Sequence, residues 1–67
     1  MPRYYFHVTD GQDDILIEDE EGEAFDHAAE AQQNARLVAL ELEDSTLGGR
    51  SITVTDEHGA VVIKLPI

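Results

Sequence analysis

The sequence predicts a small α+β domain of order β-β-α-β-β, a four-stranded sheet with one amphipathic helix packed on one face. Three observations predict it. Residues alternate with period two from Arg3 to Val8 and from Ser51 to Thr55. Asp- and Gly-containing turn segments follow both stretches. Between them, a stretch without Gly or Pro runs from His27 to about Glu43 with apolar residues at helical spacing.

In the first strand, Tyr4, Phe6 and Val8 fall on one face and Arg3, Tyr5 and His7 on the other. Thr9-Asp10-Gly11 supplies turn chemistry. A second strand from Asp14 to Glu18 then places Ile15 and Ile17 on one side and Leu16 on the other. Asp19-Glu20-Glu21-Gly22-Glu23 has no periodicity and reads as an exposed connection. Asp26 suits the helix N-cap, and Glu30 suits the positive end of the helix dipole. At about 100° per residue, Ala28, Ala31, Ala35, Val38, Ala39 and Leu42 share one stripe, the expected core face. Leu37 and Leu40 fall outside it, so either Phe25, Leu47 or Ile67 covers them or a second copy does. Ser45 to Gly49 ends the helix. The last hairpin pairs Ser51–Thr55 with Ala60–Leu65 around Asp56-Glu57-His58-Gly59. It places Val61, Ile63 and Leu65 inward and Val62 and Lys64 outward.

Sixty-seven residues allow one domain, spanning 1–67, with a thin core. There is no cysteine, so no disulfide and no thiolate metal site supports it. A core in this size range rarely supplies more than about 3 to 5 kcal/mol, which makes a homodimer an expectation. Apolar runs are short, and the N-terminus leads directly into a strand-like segment. Neither a signal peptide nor a membrane span is expected, and a cytoplasmic location follows by default.

Fifteen Asp and Glu against four Lys and Arg give a formal charge of -11. Such a polyanion repels nucleic-acid phosphates and anionic membranes, so neither is an expected partner. The same charge would suit a mimic of nucleic acid occupying a basic protein.

Ten of the fifteen carboxylates lie between Asp10 and Glu30. A calcium loop beginning at Asp10 would need glycine where Ile15 stands, although Glu21 fits its twelfth position. A weak cation site would have to use Asp19, Glu20, Glu21 and Glu23. His7, His27 and His58 lack the close spacing of a zinc motif. Ser45 and Ser51 lack a nucleophile-elbow pattern, and no cysteine is present, so no enzyme and no cofactor are expected.

The opening Met-Pro-Arg-Tyr-Tyr-Phe-His-Val, then Asp10-Gly11, Asp19-Glu20-Glu21-Gly22 and Val54-Thr55-Asp56-Glu57-His58-Gly59, resemble one known group across nearly the whole chain. These are small uncharacterised bacterial proteins that open with a Pro-Arg-Tyr-Phe-Phe-His type segment and form a domain family of unknown function. The resemblance implies a stand-alone domain without an assigned activity, and it transfers no catalytic residue.

The expected function is therefore a protein-interaction or regulatory module. Its partner is another protein or a second copy of itself. The expected patch is Arg3, Tyr5, His7, Leu16 and Val62 on the uncovered sheet face, with Leu37 and Leu40 as an alternative dimer edge. The competing expectation is a small-ligand or cation-binding protein using the Arg3/Tyr5/His7 patch or the acidic loop.

Overall fold

The computed structural model describes residues 2–12 and 14–67. Its elements are β1 (Arg3–Thr9), β2 (Ile15–Ile17), β3 (Glu23–Ala24), α1 (Ala28–Leu42), β4 (Ser51–Thr55) and β5 (Val61–Pro66). All strand pairs are antiparallel, in the order β2-β1-β4-β5, with β3 also paired to β1. The fold class is the expected α+β, with four main strands and one helix against the sheet.

The additional strand corrects the expected exposed connection. With β4 on one side of β1, β2 and β3 share the other: β2 pairs with Val8 and Thr9, and β3 pairs with Arg3 and Tyr4. They are two halves of a broken edge strand. The pairing runs on to a Phe25 N–H bond to the Pro2 carbonyl. The Phe25 ring then packs against Tyr4 and Phe6. Extended backbone through Phe25 delays the helix, so His27, and not Asp26, is the N-cap residue, and it makes no side-chain capping bond.

The core lies between α1 and the sheet. Ala31 and Ala35 are fully buried there with Tyr4, Ile52 and Val54, and Val38, Ala39 and Leu42 complete the helix face. Two consecutive helical turns of alanine let the backbone lie close to the strands, where larger side chains would hold it away. Ala28, at the start of the expected stripe, is instead exposed.

Both hairpin turns use the same device. The Asp10 carboxylate accepts the N–H groups of Gln12 and Asp14, and the Asp56 carboxylate accepts those of His58 and Ala60. Backbone bonds from Asp10 N–H to Asp14 and between Asp56 and Ala60 close the two loops, and Gly59 takes the left-handed conformation at φ 81°.

Each hairpin also contains a bulge that changes which side chains reach the open face. Val54 pairs with Ile63 but Thr55 with Val61, so Val62 is the extra residue. Val8 pairs with Ile17 but Thr9 with Ile15, which leaves Leu16 as the extra one. Strict alternation predicts Leu16 and Val62 on the open face and Ile15 and Val61 inward. The bulges reverse this for Ile15 and Val61, while Val62 packs against the core.

Candidate functional site

The open side of the sheet is organised by the segment from Glu18 to Gly22, which crosses the gap between β2 and β3. Residues in the middle of β1 have no strand partner on that side, and a backbone N–H left unpaired in such a gap is costly. Asp19 fills the gap. Its carboxylate accepts the Phe6 N–H at 3.1 Å through Oδ2 and the Gly22 N–H at 3.0 Å through Oδ1. Partial burial opposes ionisation of this carboxyl, but the N–H groups of Gly22, Phe6 and Glu21 hold it below the ordinary aspartate range.

Three of the residues expected to form an interaction patch, Arg3, Tyr5 and His7, hold this segment from β1. Arg3 donates through Nη1 to the Glu21 carbonyl at 2.8 Å. His7 is 9% exposed, and its Nδ1 accepts the Asp19 N–H at 3.1 Å. With Nδ1 accepting, the neutral ring carries its proton on Nε2 and donates to the Thr55 hydroxyl at 3.1 Å. Tyr5 stacks on His7 with ring planes 7° apart and lies against Gly22. Gly22 sits at φ 68°, where a Cβ would fall 2.7 Å from the Tyr4 carbonyl oxygen and 2.8 Å from the Tyr5 ring. Only glycine fits between them. The Arg3/Tyr5/His7 set is thus a cradle for the acidic segment, with the Arg3 guanidinium and both His7 ring nitrogens bonded within the chain.

Beside this cradle the sheet leaves a groove of about 490 Å³ lined by His7, Thr9, Ile15, Thr53, Thr55, Gly59, Val61 and Lys64. Its floor is a row of hydroxyls. Thr9 Oγ1 lies 3.1 Å from Thr53 Oγ1, and Thr55 is tied to His7. Its walls are apolar, since Ile15 and Val61 are each more than half exposed. A second hollow shares His7, Thr55 and Gly59 with the groove and adds Tyr5 and the acids Glu18, Asp19, Glu20, Asp56 and Glu57. The groove therefore has Lys64 along its own wall and carboxylates at its mouth. Leu16 and Val62 do not line it. The residues that do, Ile15 and Val61, lie in unbroken apolar runs, Ile15-Leu16-Ile17 and Val61-Val62-Ile63, where a period-two reading has nothing to fix its phase.

On the opposite side, Leu37 is 60% and Leu40 63% exposed. Neither Phe25, Leu47 nor Ile67 covers them, because Phe25 packs on Tyr4 and Phe6 while the Ile67 backbone bonds to Gly49 and Arg50. Leu40 borders a smaller depression with Arg36, Ala39, Glu43, Leu65 and Pro66.

The acidic loop does not converge as a cation site requires. Among the described residues no three His, Asp or Glu side chains stand together as a metal set. Of the four acids named for such a site, Asp19 turns both oxygens to backbone N–H groups and Glu23 lies in β3. Among the described residues, no helix is long and apolar enough to cross a membrane.

No curated protein matches the chain, and no solved structure does. A family model described as a domain of unknown function, DUF6894, matches residues 3–67. That span takes in the cradle, the broken edge strand, the groove and both bulged hairpins, and the chain belongs to the DUF6894 family.

Proposed function

We propose that this domain is a non-enzymatic protein-interaction module. Its working surface is the open face of the sheet, which receives a basic, partly apolar segment of a partner protein. The groove between Ile15 and Val61 carries this reading, because it combines apolar walls, a hydrogen-bonding floor and an acidic mouth. An apolar side chain of the partner would sit between the two walls, and its basic residues would lie over Glu18, Glu20 and Glu57. A net charge of -11 draws basic partners toward this surface from a distance. It repels nucleic-acid phosphates and anionic membranes.

The non-enzymatic part of the reading is supported by how the polar groups of this face are arranged. His7 has both ring nitrogens engaged, Thr9 bonds to Thr53, and the Asp19 carboxylate accepts backbone N–H groups. These groups stabilise one another, so none of them is poised as a base beside a nucleophile. A cytoplasmic setting fits the cysteine-free composition.

The test is a titration followed by amide shifts, using a peptide of alternating Lys and Val and a Glu/Val peptide of equal length. Saturable shifts at Thr9, Thr53 and Val61 with the basic peptide alone, weakening with added salt, are the expected result. Equal responses to both peptides, or shifts confined to other faces, would rule the reading out.

A further inference from the structure

We propose that the chain forms a two-fold symmetric homodimer through the outer edge of β5 and the adjoining flank of α1, with Arg36 of each copy facing Glu43 of the other. The helix-side part of this surface shares no residue with the open-face groove, although both border β5. β5 ends the sheet path, so among the described residues no strand pairs with its outer side. The bulge at Val62 and the missing N–H of Pro66 bound this edge, so it offers backbone donors and acceptors to a further strand over Ile63 to Leu65. Directly above it lies the depression bordered by Arg36, Ala39, Leu40, Glu43, Leu65 and Pro66. The exposed Leu40 and Leu37 stand on the same helix.

The geometry suits a second copy for two reasons. First, α1 rests on β4 and β5. With strands about 4.8 Å apart, a helix above the β4/β5 boundary lies roughly 5 Å from an axis at the outer edge of β5. A two-fold axis there would set the two helices about 10 Å apart, at the upper end of normal helix packing. Second, the helix flank is complementary to itself. In an antiparallel pair centred between Ala39 and Leu40, position 36 meets position 43 of the other copy, and the pairing occurs twice. Arg36 and Glu43 then form two opposite-charge contacts around a centre of Ala39 and Leu40.

The other sheet edge lacks this property. Two β2 strands paired antiparallel about Leu16 would set Asp14 of one copy against Glu18 of the other, like charges on both sides. That edge repels its own copy.

Sedimentation equilibrium on the intact chain between about 1 and 100 μM, at physiological salt, tests the proposal. The wild type should be a dimer. Leu40→Glu should be monomeric with unchanged circular dichroism, since the side chain is exposed. Arg36→Glu alone and Glu43→Arg alone each place two like-charge contacts in the interface, and each should weaken self-association roughly tenfold to thirtyfold. An equimolar mixture of these two variants should recover wild-type association, because every contact between unlike chains then pairs opposite charges. The double variant Arg36→Glu/Glu43→Arg should recover it also. A wild-type monomer at 100 μM would overturn the proposal. So would a dimer indifferent to Leu40→Glu, which would place the interface on another surface, or a mixture no tighter than its components.

Discussion

Three aspartates and one glycine do much of the local work in this chain. Asp10 and Asp56 each close a hairpin turn by accepting two backbone N–H groups, while Asp19 takes the place of a missing strand partner for Phe6. Asp19→Asn keeps one oxygen but turns an NH2 group toward a backbone donor, and should cost about 1 to 3 kcal/mol in urea unfolding. Gly22→Ala should cost about 2 kcal/mol or more, from the left-handed backbone together with the clash against Tyr4 and Tyr5.

The aspartates also set the response to acid. The N–H groups of Ala60 and His58 hold Asp56 below its ordinary value, as those of Gly22, Phe6 and Glu21 do for Asp19 against its burial. Each therefore binds fewer protons folded than unfolded. The stabilisation is complete above the unfolded value of about 4 and is lost as pH falls through the lower folded value. Urea midpoints measured from pH 5 to pH 2 should fall steeply below about pH 4, and less steeply in Asp19→Asn. Turn chemistry made Asp10, Asp56 and Gly59 readable from sequence, since each acts on residues a few positions away. The role of Asp19 was not readable, because its partner Phe6 lies thirteen positions back in the chain.

At the level of elements, what could be read and what could not divides along the same line. The span Ser51–Thr55 follows from its alternation, and the burial of Ala31 and Ala35 from helical spacing. Both are properties of a single continuous segment. The bulges are not, because they arise when two strands of unequal length must close on one turn while keeping apolar contacts. One consequence separates Val61 from Val62. With Val62 half-buried against the core and Val61 on the open face, Val62→Asp should cost about 1 to 3 kcal/mol and Val61→Asp under about 0.5 kcal/mol. Denaturant titration of both variants decides the register, and an equal or reversed cost would return the hairpin to unbroken alternation. The helix makes a similar prediction. Ala35→Leu adds volume where α1 lies closest to the sheet, and should destabilise by about 1 to 3 kcal/mol despite its better side-chain hydrophobicity.

For the whole molecule, charge opposes compactness and is the property on which the proposed attraction of a basic partner rests. Self-repulsion of a chain at -11 weakens the folded state, so moderate salt at neutral pH should raise the melting temperature. Acidification toward pH 5 should do the same before the aspartate contacts begin to fail. A differential scan at low and moderate salt checks this, and identical curves would mean that the carboxylates are too dispersed to repel. The sheet, with its helix on one side only, leaves a second face, and the bulges turn Ile15 and Val61 onto it around the threonine floor. That face is where the domain is proposed to meet its partner.

Quantitative capture from the native cell tests that claim most directly, comparing the wild-type domain with an Ile15→Ser/Val61→Ser variant that removes the groove walls from exposed positions. The account predicts that at least one protein with a basic, partly apolar segment is enriched by the wild type and lost from the variant, while the variant unfolds at a similar urea concentration. Identical sets of captured proteins from two equally folded baits would contradict it.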